Sequence, residues 1–451
     1  MLLVPPVCLP VPNCCKKSAW FANRRGFGSS GKYGLCTLRS AGCRACVPAA
    51  VAAAAAAGEM DAIRKPVVDK AVIVGGGLGG LAAAIQLRKV GIDAQVYERS
   101  TRLSGGEGTI ISVCPNGCRA LCKADPEILA KIREAGVVGM PAQVVNPKSG
   151  EQLTSLEMIE HMEETYGQPV ISILWKNALN ILSEALDDDC KHMGYECLDV
   201  LQDEEGATVQ FKTGDEYISV KAPLVIGADG IHSVIRSKVF DPTPPCDHGR
   251  TIWRAVIDEH LCSDLGLKVG SMLAVGNGRA MFVTNGVHGK LYWAFSVTDE
   301  STDGRIKVRS KDSAESKARL REELEGWDVA LNILEATDAE LILERRVLDL
   351  PVLPEWTCGR FALLGDAAHA VIPWMGQGAN LAFEDGFELA LQLSSASNLR
   401  CALEAYEKHR IPRAQLVSEY SQSMGAPVPQ SFYDFLYREA PSSSPNQVLL
   451  E

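Results

Sequence analysis

The sequence predicts an α/β fold, with α+β character in one inserted part: a parallel sheet with crossover helices, an inserted antiparallel sheet and a C-terminal helical region. First, an apolar run at residues 70–74 leads into glycines, a helix-like stretch and a β-type run ending at Glu98, the pattern of a βαβ unit. Second, two further apolar runs, LVIG and FALL, each lead into a turn containing glycine and aspartate. Third, β-type runs broken by glycine fill residues 250–298, which is typical of an antiparallel sheet.

These elements divide the 451 residues into one domain in three pieces and a second domain inserted between them. No internal repeat is present in the sequence. The predicted segments are a leader over 1–60, the first piece over 68–150, a mixed helix and hairpin segment over 151–222, the second piece over 223–241, an inserted sheet over 242–345, the third piece with the C-terminal helix over 346–425, and a tail over 426–451.

Periodicity places further elements inside these segments. Apolar residues at helical spacing predict a helix at residues 170–190. Residues 311–336 are predicted to form a charged helix, and residues 380 to about 425 are also predicted to be helical. Alternating apolar and polar residues over 208–220, with a Gly-Asp pair between the two runs, predict a hairpin. The final stretch PSSSPNQVLLE predicts a disordered terminus.

The net charge of −11 is unevenly distributed along the chain. Residues 1–60 contain seven basic residues and one acid, Glu59, whereas the remainder has 38 basic and 55 acidic residues, a net charge of −17. So acidic a body argues against nucleic acid as a partner, because phosphate binding requires clustered basic residues.

The first 60 residues are rich in Ser, Ala, Cys, Gly and Arg, a composition typical of an organelle transit peptide. A chloroplast is the first choice of compartment and a mitochondrion the second, and a plain disordered tail is the alternative. No apolar run reaches the roughly 20 residues that span a bilayer, so no transmembrane segment is predicted.

The 15 cysteines do not form a recognisable framework. Six fall in the leader, where Cys43 and Cys46 form an isolated C-x-x-C that is weak support for metal binding. Cys114, Cys118 and Cys122 repeat every four residues and share a helix face, where free cysteine usually packs as a small apolar residue. We therefore predict a reducing compartment, no disulfides and no metal site.

The first motif is GGGLGG, which begins at Gly75 directly after the first predicted strand and has the G-x-G-x-x-G frame. It opens a helix, and Glu98 ends the next strand 18 residues beyond Gly80, the context of a dinucleotide-binding turn. Gly77 would let a pyrophosphate approach the backbone, and Glu98 would accept hydrogen bonds from ribose hydroxyls. A glycine-rich turn without ligand is the alternative.

Two aspartates follow buried strands elsewhere in the chain. Asp229 follows LVIGA, and taken alone it is an N-cap, the usual role of aspartate there. Asp366 follows FALLG at the carboxyl end of a strand, where open α/β folds bind ligands. The segment Gly376–Asn380 then begins a helix near Gln377 with free backbone N–H groups. Taken singly, Asp366 is equally a cap or a ligand contact.

In order and spacing, the three motifs resemble the FAD-dependent monooxygenases of the para-hydroxybenzoate hydroxylase type, the single-component aromatic hydroxylases, in their salicylate hydroxylase and zeaxanthin epoxidase-like branch. The resemblance covers about residues 70–425 and implies a Rossmann-like FAD-binding domain with an inserted substrate domain. In that family the glycine motif binds the ADP part of FAD, the Asp-Gly motif serves FAD and NAD(P)H, and the Gly-Asp motif with its helix serves the ribityl chain, pyrophosphate and isoalloxazine. The cofactor-binding residues implied by the match are Gly75, Gly77, Leu78, Gly79, Gly80, Glu98, Arg99, Lys176, Asp229, Asp366, Gly376, Gly378, Ala379 and Asn380.

Two departures from the family pattern concern Lys176 and the stretch GEGTIISVCPNG. Many relatives have an arginine where Lys176 stands, and lysine keeps the charge but loses the planar fork. Relatives usually show Gly-Ala-Gly-Ile ahead of Pro-Asn, so the alignment at the second stretch is approximate. Weaker similarities lie at residues 115–117, 253–254 and 276–279.

The resemblance also implies the chemistry. NADPH or NADH would reduce FAD as a transient co-substrate, which fits the presence of only one G-x-G-x-x-G. O2 would then form a flavin C4a-hydroperoxide that hydroxylates or epoxidises an apolar or aromatic small molecule. Aspartates and glycines do no redox chemistry themselves, so no catalytic residue is assigned.

Residues beside the motifs are candidates for the substrate site. Arg254 on the inserted sheet could bind an acidic substrate or the flavin, and Trp374 and Met375 either face the pocket or pack. His369 is a proton relay or, more commonly for such a histidine, a structural residue. A lipophilic substrate would bring peripheral membrane contact.

Two alternative functions use the same residues. A flavin-dependent reductase or halogenase could share the fold, although the Trp-x-Trp-x-Ile-Pro signature of flavin halogenases is absent. A non-catalytic escort-type protein could keep the fold without flavin, although the intact glycines and Asp366 favour a cofactor.

Overall fold

The computed structural model describes residues 65–103, 109–156, 159–276, 278–298, 312–423 and 428–438, so the predicted leader and the final stretch lie outside the described residues. The strands of this part, numbered β1 to β19 in chain order, are Lys70–Val74, Asp93–Glu98, Ile110–Val113, Val137–Val138, Ala142–Val145, Gln152–Ser155, Ile171–Leu174, Lys191–Met193, Glu196–Gln202, Ala207–Thr213, Glu216–Ala222, Leu224–Gly227, Cys246–Asp258, Gly270–Gly276, Arg279–Val287, Lys290–Thr298, Leu343–Asp349, Thr357–Cys358 and Phe361–Leu363. The α-helices, α1 to α11, are Leu78–Lys89, Pro115–Ala124, Pro126–Glu134, Met162–Tyr166, Trp175–Glu184, Ser313–Glu323, Asp328–Glu335, Asp366–His369, Gly378–Ser395, Leu399–Gln422 and Gln430–Arg438.

A six-stranded sheet in the order β18-β19-β12-β1-β2-β8 forms the centre of the fold. All neighbouring pairs are parallel except β18 with β19, and α1 is the crossover between β1 and β2. The predicted βαβ unit is therefore confirmed. Because the strands are parallel, the turns that follow β1, β2, β12 and β19 all lie at one edge of the sheet.

A seven-stranded sheet in the order β17-β13-β16-β15-β14-β5-β6 carries the predicted antiparallel runs, with one parallel pair between β14 and β5. Strands β5 and β6 come from residues before the predicted sheet segment. No periodicity identified them, because all four residues of β6 are exposed and both strands are short. The fold class that the sequence predicts is confirmed, with this larger inserted sheet.

The two faces of the inserted sheet belong to different hydrophobic cores. On β16, Tyr292 and Ala294 face the main core around the parallel sheet, whereas Trp293 and Phe295 face a second core shared with α6 and α7. Burial on both faces explains why the β16 sequence is a nearly continuous apolar run rather than an alternating one.

Three predicted helices are wrong in extent. The helix at 170–190 begins as strand β7, because the β-branched ISIL stretch pairs with β3. The helix at 311–336 is two helices separated near Gly326, which has φ of +80°. The helix at 380–425 ends at Ser395 and restarts at Leu399, where the Asn398 side chain accepts a hydrogen bond from the Cys401 N–H.

Part of the predicted tail is an ordered helix, α11. Its buried residues Phe432, Phe435 and Leu436 have the spacing of a helix face, and this pattern is visible in the sequence. The predicted hairpin at 208–220 is confirmed as β10 and β11. Among the described helices, none has both the length and the apolar composition that crossing a membrane requires.

Candidate active site

Four adjacent strands of the parallel sheet deliver the predicted motif residues to one edge. Gly75 follows β1, Glu98 ends β2, Asp229 follows β12 and Asp366 follows β19. The motifs that are far apart in sequence are therefore brought together, as an extended ligand requires.

The glycine turn after β1 is shaped by close contacts at two positions and by open space at a third. A Cβ at Gly75 would overlap the carbonyl oxygen of Ala228, and a Cβ at Gly80 would overlap that of Gly75. At Gly77 no described atom lies within 4 Å of a Cβ position. Gly75 and Gly80 are thus required by packing, whereas Gly77 leaves its backbone accessible from the cleft.

We expect Gly77→Ala to weaken binding of a pyrophosphate-containing cofactor by roughly 10-fold or more, because the methyl group would occupy the approach to the backbone. Folding of the cofactor-free protein should be almost unaffected, since Gly77 has φ of −74° and open surroundings. Gly80→Ala is the matched comparison and should lower the free energy of unfolding instead. Equilibrium binding and urea unfolding of both variants test this, and equal effects of the two substitutions would contradict it.

Glu98 is fixed beside the glycine turn. Its Oε2 accepts a hydrogen bond of 2.7 Å from the Gly76 N–H, and its Oε1 accepts one of 2.9 Å from the Ser100 N–H. The carboxylate is half-buried and faces a cavity of about 300 Å³, so its remaining lone pairs are available to hydroxyl groups. This placement supports the predicted ribose contact.

The cavity is also lined by residues outside the predicted motifs. The predicted residues that line it are Gly75, Gly77, Glu98, Arg99 and Asp229, and the additional lining residues include Arg102, Leu103, Trp175, Leu179, Tyr195, Cys197 and His232. Tyr195 and Cys197 follow β8, the next strand along the same edge. A strand of three residues has no periodicity to identify it in a sequence.

Asp229 is both a cap and a cavity residue. It accepts hydrogen bonds from the Ser233 hydroxyl at 2.5 Å and from the Val234 N–H at 2.7 Å. Burial raises the pKa of Asp229, and these hydrogen bonds oppose that rise. Its carboxylate is therefore committed mainly to holding the turn after β12.

Asp366 lies next to the start of α9. Gly365 before it has φ of +59°, and the Asp366 Oδ1 is 3.8 Å from the position of a Cβ on Gly378. Within the described residues no side chain caps this helix, so the first N–H groups and the positive end of the dipole face outward. Asp366 is exposed and is not among the described residues that line the cavity beside Gly75 and Glu98, and desolvation by nearby protein atoms raises its pKa.

A buried carboxylate holds the Gly365–Asp366 turn in place. The Oδ2 of Asp385 accepts a hydrogen bond of 2.9 Å from the Gly365 N–H and lies 2.6 Å from the His369 Nε2, and its Oδ1 accepts one of 2.7 Å from the Arg410 Nε. Despite its burial, His369 and Arg410 lower the pKa of Asp385 to about 2. The geometry therefore makes His369 a structural residue.

Asn380 and Gln377 attach α9 to α2. The Asn380 side chain accepts a hydrogen bond from the Cys114 N–H at 2.9 Å and donates to the Ser112 and Gly376 carbonyls. The Gln377 side chain accepts one from Asn116 at 3.1 Å. Both amides are used inside the protein, and the Gly376 N–H donates to the Pro373 carbonyl at 3.1 Å, so a cofactor contact at this turn would come from the backbone N–H groups at the start of α9.

The predicted substrate residues have different surroundings. Arg254 is half-buried on the sheet face that carries Tyr292, and Tyr292 lies near Thr109, the residue before β3. Within the described residues, the buried Nε of Arg254 has no hydrogen-bond partner. Trp374 is half-buried, whereas Met375 is packed in the main core.

Lys176 is exposed in the first turn of α5, and it is not among the described residues that line the cavity. Its neighbours Trp175 and Leu179 line the cavity instead. The helix predicted to contact the cofactor therefore reaches the site, but through apolar side chains on the adjoining face.

Comparison with known proteins identifies the class of this fold and site. The model of the FAD binding domain family matches residues 69–421, and the chain belongs to that family. The residues at the sheet edge fit FAD, because the open approach at Gly77, the exposed Asp366 and the uncapped start of α9 suit a pyrophosphate, a sugar-like chain and an electron-rich ring.

Individual relatives include oxygenases from plants and bacteria. The chain is 32% identical over 335 residues to the chloroplastic zeaxanthin epoxidase of Nicotiana plumbaginifolia, covering 72% of this chain and 49% of that protein. It is 29% identical to the aurachin C monooxygenase/isomerase of Stigmatella aurantiaca, covering 76% of this chain and 85% of that protein. The chain thus spans about half the length of the zeaxanthin epoxidases that it matches.

Among solved structures, Klebsiella pneumoniae HpxO complexed with FAD and uric acid has a TM-score of 0.69 and 25% identity, with 84% of this chain and 96% of that chain covered. This similarity supports the fold described above. FAD is the cofactor of the family and of that complex.

Proposed function

We propose that this protein is an FAD-dependent monooxygenase that uses NAD(P)H and O2 to hydroxylate or epoxidise an apolar or aromatic small molecule. In the balanced reaction, NAD(P)H supplies two electrons, one oxygen atom of O2 enters the substrate and the other leaves as water. Bound FAD supplies the electron transfer and the activation of oxygen. The relatives whose names describe monooxygenases and epoxidases support this proposal.

The observation that carries the proposal is the placement of an apolar sheet face beside the cofactor edge. The backbone N–H of the cavity wall residue Trp175 donates to the Thr109 carbonyl at 3.1 Å, and Thr109 lies near Tyr292 on the inserted sheet. Apolar residues on this face would exclude water from the reacting atoms, and the start of α9 would stabilise negative charge on the reduced ring.

Arg254 shares this face with Arg250 and Arg345, and it lies beside Tyr292, where it would orient a substrate oxygen. We expect Arg254→Met to leave FAD occupancy unchanged but to lower substrate-stimulated NAD(P)H oxidation by roughly 10- to 100-fold, the loss of one charged hydrogen bond. Arg254→Lys should retain only part of the substrate-stimulated oxidation, because lysine lacks the planar guanidinium group of arginine. A variant that loses FAD, or one with full activity, would show that Arg254 has another role.

The proposal includes a cellular compartment and contact with a membrane surface. The basic leader composition and the chloroplastic relatives support a plastid, and a lipophilic substrate would bring the enzyme to a membrane surface.

The test uses the purified full chain, with FAD content measured by absorbance. NADPH and NADH consumption is followed with a panel of hydroxylated β-ring terpenoids, hydroxybenzoates and quinolones. Oxidation that a panel member stimulates, together with an oxygenated product, supports the proposal. Oxidation that yields only hydrogen peroxide with every panel member, or a protein that cannot be reconstituted with FAD, would overturn it.

A further inference from the structure

We propose that Cys246, His248 and Asp349 form a binding site for a divalent transition metal, with Zn²⁺ as the best-suited ion. One ligand atom from each side chain can be chosen so that all three lie within 4.8 Å of one another. Thiolate, imidazole and carboxylate are the ligand types that zinc takes in proteins. The site is separate from the proposed oxygenation site and does not depend on that function.

The fold builds this cluster at the end of two paired strands. Cys246 on β13 is the direct antiparallel partner of Asp349 on β17. His248 lies two residues after Cys246, so an extended strand places both side chains on the same face. The pairing is interrupted between Asp247 and Thr251, and Gly249 has φ of +62°. Such bulges re-aim side chains, here the imidazole toward Asp349.

The imidazole is close to the Asp349 carboxylate without being aligned to donate a hydrogen bond to it. The His248 Nε2 lies 2.8 Å from the Asp349 Oδ1, yet within the described residues this buried nitrogen makes no aligned hydrogen bond. Tetrahedral zinc separates its ligand atoms by roughly 3–4 Å, so a slight opening of this pair and a slight approach of the Cys246 thiol would complete the set. Because Cys246 is exposed, water could take the fourth position.

The surroundings support three ligands at this point. The Gln422 Nε2 donates a hydrogen bond of 2.9 Å to the Asp349 Oδ2, which orients the carboxylate with its Oδ1 toward the cluster. Arg346 is the adjacent positive charge, and Asp247 binds it in two hydrogen bonds of 2.7 and 3.0 Å. Asp247 therefore offsets the charge of Arg346, which reduces the repulsion between Arg346 and a metal ion at the cluster.

A metal ion at this cluster would lie where the inserted sheet meets the segment that follows Asp366. Directly after Asp349, the Leu350 N–H donates to the Ala370 carbonyl at 2.9 Å, in the segment that follows Asp366. The Pro351 carbonyl accepts a hydrogen bond of 2.9 Å from Arg236. Binding at this cluster should therefore stabilise the folded protein, because it fixes β17 where it meets this segment.

The test measures metal binding by the full chain after removal of bound metal with a chelator. Added Co²⁺ should give the absorption of tetrahedral, thiolate-bound cobalt, and Zn²⁺ should displace it and raise the melting temperature. Cys246→Ser should remove the thiolate absorption and weaken Zn²⁺ binding at least roughly 10-fold, and it should not unfold the protein because Cys246 is exposed. His248→Gln should weaken binding similarly.

Two variants serve as controls for other thiols. Cys401→Ser alters a cysteine on α10, and the double substitution of Cys43 and Cys46 by Ser removes the C-x-x-C of the leader. Both should retain the Cys246-dependent absorption and the Zn²⁺-induced rise in melting temperature. Zn²⁺ binding that Cys246→Ser leaves unchanged, or that disappears only with the leader variant, would overturn the proposal.

Discussion

Replacing Asp366 with alanine should raise the dissociation constant for FAD by roughly 10- to 100-fold, the loss of a hydrogen-bonding carboxylate at a ligand. The carboxylate is exposed beside the first residue of α9, where it could hold a sugar-like chain. Measurement of FAD retained after gel filtration, followed by titration of the cofactor-free protein, gives the change.

The same substitution should not destabilise the cofactor-free fold. Desolvation raises the pKa of Asp366, so the folded protein disfavours its charged form and loses no stability when the charge is removed. Asp215→Ala, in the exposed hairpin turn, is the control and should leave FAD binding unchanged. Unchanged FAD occupancy in Asp366→Ala would remove this carboxylate from the cofactor site.

Replacing Arg413 with methionine should lower the free energy of unfolding by about 3–5 kcal/mol, the range for breaking a buried ion pair. Arg413 is fully buried and donates to the Glu384 carboxylate at 2.7 and 3.0 Å. It also donates to the carbonyls of Phe435 and Leu436, so the substitution would remove two hydrogen bonds between α10 and α11. Urea unfolding of the purified variant measures the loss.

The control for that prediction lies on the same helix. Arg400 is exposed and pairs with Glu404 one turn away, so Arg400→Met should change stability by at most about 0.5 kcal/mol. If the free energy of unfolding of Arg413→Met fell by less than about 1 kcal/mol, the stabilising role of this buried ion pair would be contradicted.

The part of the site that the sequence predicts is the part that local spacing encodes. Gly75, Gly80 and Glu98 belong to one βαβ unit, in which a tight turn and a close helix–strand contact require glycine at fixed positions. Asp366 and the start of α9 are likewise close in sequence. Their approach to Gly77 follows from the parallel strand order, which places all strand ends at one edge.

The residues that the sequence did not identify depend on long-range contacts. Asp385 and Arg410, which the sequence did not identify, form one buried network with the candidate His369, across a turn and a helix that only the tertiary structure brings together. Three acids on one helix, Glu384, Asp385 and Glu388, are a signal in the sequence, since buried charges require partners. The Cys246, His248 and Asp349 cluster has no such signal, because Asp349 is distant from Cys246 in sequence.

Asn380 shows the limit of transferring a family role to a single residue. The match placed Asn380 among the cofactor contacts, and its position at the start of α9 agrees with that. Its side chain, however, bonds to Ser112, Cys114 and Gly376, so it positions the turn. Contact with the cofactor would then come from backbone N–H groups, whose direction the sequence pattern does not specify.

The most direct measurement of the proposed activity is isotope transfer from ¹⁸O2 with a substrate that stimulates NAD(P)H oxidation. The account predicts one ¹⁸O atom in each product molecule and consumption of one NAD(P)H for each product formed. Product oxygen derived from water, or oxidised NAD(P)H recovered only with unlabelled substrate and hydrogen peroxide, would contradict it.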